Sequence, residues 1–287
     1  MLTDVSKYVN DIRQVEVPEL VKLDIRTDYY PDGSVKTRGS YKGDVAEGIR
    51  REYAPDGKVV AAYTFKNGNI VAEGIIDDEG IQDGPWKEFY ENGSLRSEGM
   101  YRNGKRTGKW KFYHSNGNLE QEGNYNNQGN TDGLWKWFYE DGQLLREENY
   151  LNGSSEGIFT EYDENGKVII QGEYVEGLEE GLWTYNLGDH REEGTYRGGM
   201  RNGEWKYFYD DGVKSFQGSF IDDNPNGRHI WYWPNGKKKD EGEYLMGMKV
   251  GDWIQYNSDG TVFMVITYQN GVEKKYDGVK IKPEFTE

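Results

Sequence analysis

Every 24 residues or so this chain returns to one short phrase, an Asn-Gly or Asp-Gly pair set between aromatic residues at fixed offsets. The closing glycine of the pair falls at Gly33, Gly57, Gly93, Gly117, Gly142, Gly166, Gly212, Gly236 and Gly260. Seven positions before the last seven of these, Gly93 onward, stand Trp86, Trp110, Trp135, Phe159, Trp205, His229 and Trp253, and eight positions after them stand Tyr101, Tyr125, Tyr150, Tyr174, Phe220, Tyr244 and Tyr268. Six positions after, the residue is usually glycine: Gly99, Gly123, Gly172, Gly218 and Gly242. A chain made of one small unit copied end to end buries each copy mainly against its neighbours, so it works as a surface rather than around a central pocket.

Two aromatic-rich runs joined by Asn-Gly or Asp-Gly predict a β-hairpin, because a two-residue type I′ turn needs positive φ at both central residues. With that loop the residue at minus seven faces the residue at plus six, so Trp110 is expected to cover Gly123, whereas a three-residue loop with a bulge would shift the register and remove the pairing. A second set of turns links the hairpins, at Lys42-Gly43, Asn67-Gly68, Asn103-Gly104, Asn152-Gly153, Met246-Gly247 and Asn270-Gly271. Short connections throughout predict an all-β fold, an elongated, twisted, single-layer antiparallel meander of tandem hairpin repeats. Roughly 20 strands at about 4.8 Å each would extend on the order of 95 Å. The array is read over residues 24–275, with an irregular insertion near 66–84, where the spacing stretches to one and a half periods and implies an extra half-unit. Around Tyr185 to His190 the copy is two residues short, which implies a tightened hairpin. Residues 1–23 do not repeat; Val5, Tyr8, Val9 and Ile12 share a helical face, and a short cap over the first sheet edge is expected there. The tail, 276–287, would protect the other edge.

Hydrophobic residues make up 34% of the 287, with a formal net charge of -16, a balance that alone suggests disorder. Aromatic residues at 15%, with 23 Tyr and 9 Trp placed periodically, point instead to an ordered but thin protein. The acidic balance disfavours nucleic acid and anionic lipid as partners and favours a neutral or basic protein. No stretch is long and apolar enough to span a bilayer, so the chain as printed reads as soluble, in the cytoplasm, or at the envelope if an export signal or anchor has been trimmed. Cysteine is absent, which excludes disulfides and thiolate metal sites.

The copies resemble MORN repeats, and more closely the bacterial MORN-variant form, in which Gly-x-Trp-x-x-Tyr, Asn-Gly or Asp-Gly, and Glu-Gly-x-Tyr recur at this period. Gly108 to Tyr125, Gly133 to Tyr150 and Gly203 to Phe220 carry the likeness best. The resemblance implies hairpins in an extended sheet and a role in holding partners; some bacterial members are described as antitoxins, and eukaryotic ones have been linked to membranes.

Motifs for chemistry are sparse. Asp222-x-Asn224-x-Asn226-Gly227 opens like a calcium loop, but its twelfth position is Trp233 rather than a bidentate Glu, and the segment reads as a turn. The three histidines have no companions at metal-ligand spacing, no nucleophile elbow is present, and no cofactor is implied. Trp86, Trp110, Trp135, Trp183, Trp205 and Trp253 are read as structural covers for glycines. Trp137, Trp231 and Trp233 break the repeat, as does His229 in a tryptophan slot, and these are the candidate partner contacts. The expected function is a non-enzymatic scaffold offering a sheet face to a larger protein assembly, with the cell envelope as one setting. An antitoxin-like role toward a small toxin and a glycan-binding role for the aromatic rows are the alternatives. The rows do not follow the shorter Gly-Trp, Trp-Tyr-Tyr pattern of choline-binding and related wall-binding repeats.

Overall fold

The structure, a computed structural model, describes residues 22–280. These form β-strands and turns with no helix. The chain divides into two compact units between Ser94 and Leu95. The first unit holds β1 (Asp24–Tyr29), β2 (Val35–Lys42), β3 (Val45–Tyr53), β4 (Val59–Lys66), β5 (Asn69–Gly74) and β6 (Gly84–Phe89), paired antiparallel in chain order. The second holds β7 (Leu95–Arg102), β8 (Lys105–Tyr113), β9 (Leu119–Tyr125), β10 (Thr131–Phe138), β11 (Leu144–Leu151), β12 (Ser154–Tyr162), β13 (Val168–Val175), β14 (Leu178–Asn186) and β15 (His190–Arg197). It continues through β16 (Met200–Tyr209), β17 (Lys214–Ile221), β18 (Asn224–Pro225), β19 (Gly227–Tyr232), β20 (Lys238–Leu245), β21 (Met248–Tyr256), β22 (Val262–Gln269), β23 (Val272–Tyr276) and β24 (Val279–Lys280). Each unit is an antiparallel meander of hairpins, as the repeat predicts. The cap read over residues 1–23 lies outside the described residues apart from its last two. Of the tail, the described part closes a final hairpin in which Tyr276 faces Val279.

Identical dipeptides make two different turns. Asn103-Gly104 is a two-residue type I′ turn, with φ of 50° and 74° and Arg102 facing Lys105. At Asn116-Gly117 only the glycine is at positive φ, 90°, and the loop runs from His114 to Asn118, closed by Gly117 N–H to His114 O at 2.9 Å and His114 N–H to Asn118 O at 2.8 Å. This is a three-residue loop with the glycine as its bulge, in place of the expected type I′ turn. The deciding bond is local: Asn116 Oδ1 accepts from the Asn118 backbone N–H at 2.9 Å, which fixes Asn116 in an ordinary turn conformation. The expected pairing survives all the same. A second register shift, between Phe112 and Tyr113, compensates the loop, and Trp110 ends opposite Gly123. In the shortened copy the loop is the two residues Gly188 and Asp189, and β14 pairs β15 with no register shift at all.

The insertion is a single extra strand, β5, with its turn at Asp77–Gly80, closed by Asp77 N–H to Ile81 O at 3.0 Å. One strand reverses the chain, so within the first unit the three-residue loops change edges: Arg51 and Tyr53, beside the loop of Gly57, bond to the Asp77–Asp78 turn, whereas Lys66, beside Asn67-Gly68, reaches Glu91 at 3.1 Å. The face changes too. Arg50, in the tryptophan slot of its copy, shares a face with Tyr63, while Trp86 lies over Gly74 on the face of Ala62.

Loops of successive hairpins are clasped by aromatic tips. Tyr30, Tyr139 and Tyr209 each donate their hydroxyl to a backbone carbonyl one hairpin on, at Tyr53, Tyr162 and Tyr232, over 2.8, 2.8 and 2.6 Å. His114 Nε2 and Trp233 Nε1 make the same bond to Phe138 O and Tyr256 O. Replacing Tyr209 by Phe is expected to lower stability by about 1 kcal/mol, the net worth of one such bond, and to speed amide exchange at the loops it joins; chemical denaturation and hydrogen exchange measure both.

Candidate functional site

A single-layer sheet has no second layer to bury its rings, and this chain solves the problem by laying each ring flat on the sheet. The Trp110 ring covers Gly99, where an added Cβ would stand 2.3 Å from Cδ2, and Trp135 covers Gly123 in the same way at 2.1 Å. The expected cover of Gly123 by Trp110 is therefore corrected: the two face one another in register, but each indole leans to the preceding strand. There the β7–β8 register shifts between Glu98 and Met100, leaving Gly99 outside the ladder, and the indole fills that gap. Its Nε1–H donates to Met100 O at 3.0 Å, and Trp135, Trp183, Trp205 and Trp253 repeat the bond to Asn124, Glu173, Thr195 and Glu243. The tyrosine of the preceding strand stands edge-on to the indole, at 5.0 Å for Tyr125 on Trp135 and 4.9 Å for Tyr244 on Trp253.

His229 takes the same place. It is 1% exposed, lies against Gly218, and donates from Nε2 to Ser219 O at 2.8 Å, so it substitutes for an indole and presents no surface. Burial holds its pKa below the ordinary histidine value. Elsewhere the glycine itself is replaced: Glu148 occupies that slot, buried, its Oε1 accepting from Ser155 Oγ at 2.6 Å, and the facing position carries Phe159 instead of Trp. The coupled change is readable in the sequence, where Glu148 stands six positions after Gly142.

Of the candidate contacts, Trp231 and Trp233 come together and Trp137 stands apart. Trp137, on β10, packs on Trp135 at 6.2 Å beneath the Arg146 guanidinium, 3.9 Å from its centroid. Trp231 and Trp233 border a groove over β19 to β22. One part, a cavity of about 510 Å³, is lined by Trp233, Lys239, Asp240, Gln255 and Phe263 among others; the adjoining part, about 340 Å³, by Trp231, Lys239, Asp240, Lys249, Trp253, Gln255 and Tyr268. Trp231, Asp240, Gln255 and Met264 face one another in a row across four strands. Lys239 lies 4.9 Å from the Trp233 ring, and Lys249 4.2 Å from that of Trp253. The Asp240 and Gln255 side chains make no hydrogen bond or ion pair with the described residues. Phe263 is 60% exposed.

The reverse face of the same strands carries a buried carboxylate. Glu241 accepts from Tyr256 Oη at 2.5 Å, from Lys238 at 2.9 Å and from Arg228. Burial pushes its pKa up, but the bonds from Tyr256, Lys238 and Arg228 outweigh this and bring it down to about 2, while burial and the same carboxylate lift Tyr256 to about 12. Every oxygen there is engaged, which suits a structural anchor. Among the described residues no three His, Cys, Asp or Glu side chains gather as metal ligands, and no helix is long and apolar enough to cross a membrane.

Comparison with known proteins agrees with this repeat. A family model described as MORN repeat variant matches residues 46–67, 82–103, 106–127, 131–152, 155–176, 201–222 and 225–245, which together cover more than half of the chain. No curated protein matches the sequence.

Proposed function

Because the chain belongs to the MORN repeat variant family, we propose that it is a non-catalytic module that holds a protein partner along the type I′-turn edge of its second unit. The observation that carries this reading is a row of exposed apolar side chains beside those turns, including Leu151, Leu178, Met200, Ile221, Leu245 and Met248. Leu245 faces Met248 and Val175 faces Leu178 across their turns, so the row is repeated at the same place hairpin after hairpin. The loops at the other edge carry Glu140, Asp141, Asp210, Asp211 and Asp259, with exposed apolar side chains there at Leu187, Val262 and Phe263 rather than at every hairpin. Exposed apolar rows of this kind are partner surfaces, and methionine adapts to an irregular one.

The row follows the strands from β11 to β23, on the order of 50 Å at about 4.8 Å per strand. A globular domain of 100 residues has a radius of gyration of about 13 Å, so a row this long suits an assembly better than a small toxin. Leu178→Lys with Leu245→Lys is expected to lower affinity for that partner more than tenfold without lowering the melting temperature, since both side chains are half exposed, whereas Asp211→Lys at the opposite edge leaves binding unchanged. Quantitative capture from native cells with and without detergent reads this out. Undiminished capture by the double variant sinks the proposal; recovery of one small protein replaces it with the antitoxin-like reading, and recovery only with detergent places the assembly at the envelope.

A further inference from the structure

We propose that the groove over β19 to β22 is a saccharide-binding site, with Trp233, Trp231 and Phe263 as stacking faces and Asp240 and Gln255 as the groups that bond sugar hydroxyls. The groove exists because a ring is missing. Five positions before the turn glycine stand Phe112, Trp137, Tyr207 and Trp231, each packed beside the ring at minus seven, and Tyr185 takes the same place in the shortened copy. Glu52, Glu88 and Glu161 stand there in β3, β6 and β12, and β21 carries Gln255. The Trp231 and Trp253 rings, 5.9 Å apart, continue the row up to the gap, and beyond it stand Met264 and the exposed Phe263. A small amide in place of a ring leaves a hollow with aromatic walls.

The hollow has the donor and acceptor set a sugar needs. Gln255 offers both donors and acceptors and Asp240 offers acceptors only; they face each other in register, and among the described residues neither is bonded to another side chain. Aromatic walls with a few converging polar groups, in cavities of about 340 and 510 Å³, match the general character of small-ligand sites. Trp233 is held in place by its Nε1–H bond to Tyr256 O, 3.2 Å long, so its face is preorganised rather than recruited.

Other ligand classes fit less well. An extended peptide gains most of its affinity by adding to a free strand edge, and β20 and β21 are paired on both sides. A nucleic acid would meet a chain of net charge -16.

The test titrates the purified chain with three hexasaccharides, β-1,4-linked glucose, β-1,4-linked N-acetylglucosamine and α-1,4-linked glucose, following tryptophan fluorescence and heat. Saturable binding of at least one is expected. Asp240→Ala and Phe263→Ala should each weaken it about tenfold, an energy of roughly 1.4 kcal/mol. Gln255→Tyr supplies the ring that five other copies carry at this place, so it should fold as well as the parent and abolish binding. Absence of binding by all three sugars at millimolar concentration overturns the proposal, as does binding that Gln255→Tyr leaves intact. None of these variants touches the apolar turn edge, so the two proposals fail separately.

Discussion

Gly123→Ala is expected to cost about 3 kcal/mol, more than most single methyl additions, because the methyl would be driven into a rigid ring. The added Cβ would stand 2.1 Å from Cδ2 and 2.3 Å from Cε2 of Trp135, and that indole is 1% exposed, edge-on to Tyr125 and bonded to Asn124 O. It cannot retreat without losing both contacts and its burial. Trp135→Phe alone should cost less than Trp135→Ala, which at about 3–5 kcal/mol empties the slot. The double variant Gly123→Ala with Trp135→Phe should be more stable than the sum of the singles by at least about 1 kcal/mol, since a smaller ring leaves room for the methyl. Glu148 facing Phe159 is this compensation already made in the chain. Repeat arrays can lose cooperativity, so amide exchange at β9 and β10 should be followed alongside denaturant melts. Strict additivity would show that ring and glycine are not coupled.

Glu241→Gln is the second large effect, a loss of about 3 kcal/mol at neutral pH. The carboxyl titrates at about 2 against an ordinary value of 4.5, and each unit is worth about 1.4 kcal/mol. The side chain is only 9% exposed, so solvent screening takes little away. A depressed carboxylate stabilises the fold fully above 4.5, and this contribution disappears as pH falls through about 2. Melting temperatures of the parent and of Glu241→Gln should therefore be furthest apart at pH 6–7 and converge near pH 2. Parallel curves over that range would mean that the bonds from Tyr256, Lys238 and Arg228 give no net stability.

Most of the fold was legible because its main constraint is periodic. Aromatic residues and glycines at fixed offsets set the hairpins, their pairing and the extra half-unit. The choice between the two turns was not legible, since Asn-Gly serves both: at Asn103 the asparagine itself takes positive φ, while at Asn116 its side chain bonds the backbone two residues on and leaves the bulge to glycine. Nor was the lean of the indoles, because Trp110 has a glycine on each neighbouring strand and only the register shift at Gly99 decides between them. Trp231 and Trp233 stand out by size in slots, five and three positions before Gly236, that other copies fill mostly with smaller side chains; Asp240 and Phe263 do not, because strand pairing, not any motif, brings them to the same groove. Gln255 could have been noticed as the amide in a slot that other copies fill with a ring or a carboxylate.

The lone strand β5 carries a lesson about how such a chain grows. Duplication in whole copies adds strands two at a time, so each new copy inherits the sidedness of its parent. An odd strand inverts that inheritance. Within the first unit the Arg50 and Tyr63 pair is thereby turned to one side and Trp86 to the other. A lineage that gains or loses half a copy changes which side of the sheet its next motif addresses, with no substitution in the motif itself. Removing β5 with its turn would act as a one-step reversal, placing Trp86 on the side of Tyr63, a change that differential labelling of the two faces would register.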